Sequence, residues 1–162
     1  MIELEKQHDF LVGIDSDGCA FDTMELKHKE CFIPNIIKYY KLQGVSKYAR
    51  QCAEFVNLYS KSRGVNRFPA LIETLERLSR RPEVKARGIP IRIPQAVKDW
   101  MAKETKLGNP ALQKAVDESG DPELAHALEW SKAVNDTVAD MVEGVPPFPY
   151  VRESLEKLSQ QC

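Results

Sequence analysis

The chain has 162 residues, a net charge of −1, 43% hydrophobic and 29% charged residues. This is enough apolar side chain for one ordinary core, and it offers no bulk electrostatic reason to bind nucleic acid or an anionic membrane surface. No stretch approaches the roughly 18 apolar residues of a membrane span. Cys19, Cys31, Cys52 and Cys162 are scattered, without a Cys-x-x-Cys pair or a partnering His, so neither zinc nor a disulfide framework is indicated. The first residues, Met-Ile-Glu-Leu-Glu-Lys, are too acidic for a signal peptide, and a cytoplasmic location is expected.

The first element in chain order is an apolar run, residues 10–14, with the length and composition of a short buried strand. It ends in Asp15 and Asp17, one residue apart, followed by Gly18, where a chain can turn sharply. Two carboxylates this close repel unless a cation lies between them or one keeps its proton. With nine Asp in the chain, about half an Asp-x-Asp is expected by chance, so context has to carry the signal. An EF-hand calcium loop is excluded, because its fifth, sixth and twelfth positions would be Cys19, Ala20 and Leu26. The plainer alternative is a capped turn in which Asp17 or Asp22 accepts backbone N–H groups of the next helix.

Helical periodicity follows. Phe32, Ile36 and Tyr40 fall four apart, and Pro34 is expected to divide this segment in two. Val45, Tyr48, Cys52, Phe55 and Tyr59 repeat at spacings of three and four and read as one buried stripe. Residues 60–68 form a basic loop with Gly64, and Pro69 opens a helix carrying Leu71, Ile72, Leu75 and Leu78. Arg63 and Arg67 are candidates for gripping an anionic substrate by bidentate hydrogen bonds, against the plainer reading of a solvated loop. Residues 80–94, with three prolines and Gly88, read as an ordered loop. Pro94, Pro110 and Pro122 each mark a helix start, and the last of these helices presents Leu124, Leu128, Val134 and Val138 on one face. Trp100 and Trp130 are expected at helix–helix packing surfaces. The prolines of residues 144–149 make a stiff connection to a final short helix carrying Val151, Leu155 and Leu158.

Val12-Gly-Ile-Asp-Ser-Asp-Gly, with Asp22-Thr23 downstream, resembles the first motif of the haloacid dehalogenase (HAD) superfamily. The resemblance implies Asp15 as nucleophile toward a phosphoryl group, Asp17 as general acid and base, and Mg²⁺ as cofactor with Asp15 and Asp17 among its ligands. Ser16 and Gly18 would hold phosphoryl oxygens through their backbone N–H groups. Cys19 departs from the Thr or Val common in the family at that place. The fold it implies is an α/β HAD-like Rossmannoid core with an inserted α-helical cap, the present residues being mostly helical with one main strand. The matching division is core at 1–23 and 145–162, cap at 24–144.

The resulting expectation is a Mg²⁺-dependent phosphatase of a small phosphorylated metabolite, acting through an aspartyl-phosphate, with a phosphomutase as the close variant. A non-catalytic helical interaction module is the alternative from another class. The family's later motifs, a phosphate-binding Ser or Thr, a Lys or Arg and further acidic residues, are not found before Cys162. The chain is therefore expected to be the N-terminal part of a longer enzyme, with little or no turnover by itself. A single strand without neighbours cannot satisfy its own backbone, and its open edge would invite pairing with a second copy.

Overall fold

A computed structural model describes residues 11–161. The first expectation to fail is the strand. Residues 11–14 are irregular, with Leu11 96% and Ile14 47% exposed, and Phe10 lies outside the described residues. A strand exists only where a neighbour takes up its N–H and C=O groups. Among the described residues the sole β-type pairings are isolated, Asp17 with Phe21 and Phe21 with Pro147. The described fold is all-helical, and the α/β Rossmannoid core expected from the sequence is not present in it. The strand edge on which pairing with a second copy rested is absent with it.

The chain divides into two units, Met24–Glu143 and, from the chain ends, Met1–Thr23 with Gly144–Cys162. In the helical unit, α1 (Met24–Leu26) runs through a π-type turn at Lys27–Phe32 into α2 (Ile33–Tyr39). Pro34 sits in the first turn of α2. It cannot donate to the carbonyl four residues earlier, and its ring presses on that carbonyl, so the helix widens just before it. The chain then passes Lys41, in the left-handed region at φ 54°, and a 3₁₀ turn at Gln43–Val45.

Next, α3 (Ser46–Glu54) continues into a second π-type turn, Phe55–Tyr59. The extra residue in that turn rotates the expected stripe out of register. Val56 and Leu58 are buried, whereas Phe55 and Tyr59 are exposed. The Phe55 ring lies under the Arg77 guanidinium at 4.8 Å, and the Tyr59 hydroxyl donates to Glu25 at 3.1 Å.

The central helix α4 (Arg67–Arg80) begins where the Asn66 side chain accepts the Phe68 N–H at 3.0 Å. It buries Phe68, Leu71, Ile72, Leu75 and Leu78. The expected loop at residues 80–94 contains a short helix, α5 (Pro82–Ala86), started by the proline. Then follow α6 (Gln95–Lys103), α7 (Asn109–Ser119) and α8 (Pro122–Met141). The start of α8 is held by Asp121, whose carboxylate accepts the N–H groups of Glu123 at 2.8 Å and Leu124 at 3.2 Å. Trp100 and Trp130 meet Phe68 edge-on, with ring centroids 5.1 and 6.1 Å apart. Each such ring, fully buried, contributes on the order of 2–3 kcal/mol of transfer free energy.

In the unit from the chain ends, Phe148 N–H donates to the Ala20 carbonyl at 2.9 Å, and α9 (Val151–Gln161) closes the described chain. Ala20 and Thr23 are the only buried residues among those described in this unit. No helix among the described residues is long and apolar enough to cross a membrane.

Candidate functional site

The Asp-x-Asp-Gly segment forms a tight turn. The Ser16 carbonyl accepts N–H groups from Ala20 at 3.1 Å and Phe21 at 2.9 Å, while the Phe21 carbonyl accepts those of Gly18 at 2.8 Å and Thr23 at 2.9 Å. Gly18 has φ 70°, a left-handed conformation costly for a residue with a Cβ. Its N–H is committed to Phe21, so it is not free to hold a phosphoryl oxygen as the sequence reading expected. Its contribution is the turn itself.

The two carboxylates differ. Asp15 is exposed and has no hydrogen-bond or ion-pair partner among the described residues. Asp17 accepts a 2.7 Å hydrogen bond at Oδ1 from the Thr23 hydroxyl, and Thr23 is itself buried. A bond this short to a carboxylate helps fix the rotamer of Asp17. Thr23 is a positioning residue. Its place in the Asp22-Thr23 pair was visible in the sequence, but its bond to Asp17 was not. Ser16 is exposed at the tip of the turn. An apolar recess of about 210 Å³ in the same unit is lined by Ile14, Cys19, Ala20, Tyr150 and Leu155, among others.

Mg²⁺ is commonly held by one or two carboxylates, with water and a substrate phosphate completing its shell. An exposed Asp15 beside a fixed Asp17 fits that donor set. No group of three His, Cys, Asp or Glu that could hold a metal occurs among the described residues.

The two arginines belong to the helical unit. Arg63 is exposed in the loop before α4. Arg67 is the first residue of α4 and is partly buried. Its Nη1 donates to the Ser131 carbonyl at 2.9 Å, the Ser131 hydroxyl at 3.1 Å and Asn135 Oδ1 at 2.7 Å. Its guanidinium stacks on Phe32 at 5.1 Å. Burial alone pulls its pKa downward, because no carboxylate pairs with it among the described residues. Ser131 and Asn135 lie four apart on α8, a spacing that puts both side chains within reach of one group, and neither was singled out from the sequence. Asp15 with Asp17 and Arg67 with its cradle are thus each organised locally, in separate units.

Comparison of the chain with protein-family models, with curated proteins and with solved structures gives no match.

Proposed function

We propose that this chain carries the nucleophile of a Mg²⁺-dependent phosphoryl-transfer hydrolase acting on a small phosphorylated substrate. The observation that carries the reading is the Asp15-x-Asp17-Gly18 turn, with Asp17 fixed by Thr23 and Asp15 left open. The α/β core is no part of it. An Asp15 carboxylate oxygen attacks phosphorus in line, forming a new O–P bond as the ester O–P bond breaks. Asp17, protonated at that stage, gives its proton to the leaving oxygen. It then takes one from the water that attacks the aspartyl-phosphate, and phosphate departs. When bound, Mg²⁺ neutralises charge between carboxylate and phosphoryl oxygens. Arg63 and Arg67 lie in the helical unit, where Arg67 is held by Ser131 and Asn135, and neither is assigned a role at Asp15.

Asp15 has no cationic partner among the described residues, so covalent labelling tests the reading more directly than turnover does. The purified chain is incubated with acetyl phosphate and Mg²⁺, reduced with borohydride and mapped by mass spectrometry. Homoserine at position 15, absent in Asp15→Asn, is expected. No change at position 15, or the same label in Asp15→Asn, would overturn the proposal.

A further inference from the structure

The helical unit contains a cavity of about 590 Å³, formed by residues 39–41, 89–94 and 122–126. This volume lies in the range of small-molecule sites. Tyr39, Tyr40, Ile89 and three prolines, Pro90, Pro94 and Pro122, supply stiff apolar walls. The Ile89 wall is set by Gly44: a Cβ at position 44 would come within 2.6 Å of the Ile89 side chain. The Arg87 guanidinium holds the same turn by donating to the Gly44 carbonyl at 3.0 Å.

The polar groups at this cavity divide into those the protein uses and those it leaves. Glu123 is used: Oε1 accepts from Arg92 Nε at 3.1 Å and Nη2 at 2.8 Å, and Oε2 accepts the Ala96 N–H at 3.0 Å. Arg92 and Glu123 therefore offset each other. The Lys41 ammonium has no partner among the described residues, although its backbone is held in the left-handed region, at φ 54°. That conformation terminates α2, with the Leu42 N–H donating to the Ile37 carbonyl at 2.9 Å. His126 is packed against Tyr39 and Tyr40, with ring centroids at 5.9 and 5.3 Å. Its Nε2 lies 3.0 Å from the Tyr39 carbonyl. A carbonyl can only accept, so Nε2 carries the proton in this contact, and in a neutral imidazole Nδ1 is then the acceptor.

The cavity thus offers the exposed Lys41, one imidazole, the Tyr40 hydroxyl, buried without a partner among the described residues, and otherwise largely apolar walls. We propose that it binds a flat aromatic or heteroaromatic monocarboxylate, its carboxylate on Lys41 and a ligand O–H or N–H donating to His126 Nδ1. This inference goes beyond the phosphoryl-transfer reading and does not depend on it, because every residue involved lies in the helical unit.

The test is fluorescence titration of the full chain with a hydroxynaphthoate, beside NMR shift mapping at Tyr39, Lys41 and His126. Saturable binding with shifts at these residues is expected. The neutral hydroxynaphthamide should bind at least about tenfold more weakly. Lys41→Asn should weaken the carboxylate by a similar factor, and Lys41→Arg should retain it. Asn tolerates the left-handed backbone, so an unchanged or raised unfolding midpoint separates loss of charge from loss of fold. Absence of saturable binding, equal affinity for acid and amide, or unchanged affinity in Lys41→Asn would overturn the proposal.

Discussion

In the helical unit, Trp130, Phe68, Leu71, Leu75, Leu78 and Leu112 are withdrawn from water, and the two large rings share edges. In the described part of the other unit, Leu11, Ile14, Tyr150 and Leu155 stand in solvent. One unit holds itself by apolar burial. The other has, among its described residues, the backbone bonds of one turn, the Phe148 N–H on the Ala20 carbonyl and the Thr23–Asp17 contact. The residues proposed to react with phosphorus, Asp15 and Asp17, sit on the second unit, whose described residues include few buried side chains. Functional groups are often carried on loops of low local stability, with rigid elements elsewhere. Stability and reactivity should therefore respond to different substitutions.

The largest expected effect is on stability. Trp130→Ala should cost about 3–5 kcal/mol by urea unfolding, through lost burial and a cavity beside Phe68 and Tyr40. Leu11→Ala, at a side chain 96% exposed, should stay within about 0.5 kcal/mol of the parent. Comparable losses in the two variants would erase the contrast between the units.

A smaller effect comes from His28. Its ring packs against Phe32 at 4.8 Å, Nδ1 is buried without a partner, and burial, with the nearby Lys27 charge, lowers its pKa from 6.5 to about 4. The unfolded chain then takes up this proton first. Stability is full above pH about 6.5 and falls as pH drops toward about 4. Allowing for solvent screening of a ring that is not fully enclosed, the loss is about 1–2 kcal/mol. His28→Gln should flatten the stability profile between pH 7 and 5 relative to the parent, and an unchanged slope would show that the folded state admits the proton freely.

The smallest effect lies in the thin unit. Tyr150, just before α9, has φ 69° and is 77% exposed, so its backbone is strained and its ring is not packed in return. Tyr150→Gly should relieve up to about 1 kcal/mol, visible as a rise in melting temperature or as slower proteolysis of the α9 segment. A fall in both would mean that the ring carries a contact worth more than the strain.

These contrasts also explain what the sequence could and could not tell. The helix starts at Pro94, Pro110 and Pro122 were readable because proline's fixed φ and missing N–H act locally, with a capping Asp121 at the third. The buried stripe of α4 was readable because four residues at helical spacing dominate its pattern. Residues 11–14 misled because apolar composition says that a segment would gain from burial, whereas a strand needs a partner that composition cannot reveal. Phe55 and Tyr59 misled because periodicity assumes an even helix, and a single π-type turn shifts everything after it. The Asp15–Gly18 turn was legible as a motif of residue types. The Thr23 hydroxyl on Asp17 was not, and neither was Lys41 beside His126, since the latter pair is assembled from distant segments.

The measurement closest to the central claim is the mass of the peptide containing residue 15 after acetyl phosphate treatment and borohydride reduction. Mg²⁺-dependent conversion of Asp15 to homoserine, abolished by Asp15→Asn and longer-lived in Asp17→Asn, is the predicted result. An Asp15 peptide of unaltered mass, with and without Mg²⁺, would contradict the assignment of this carboxylate as a nucleophile.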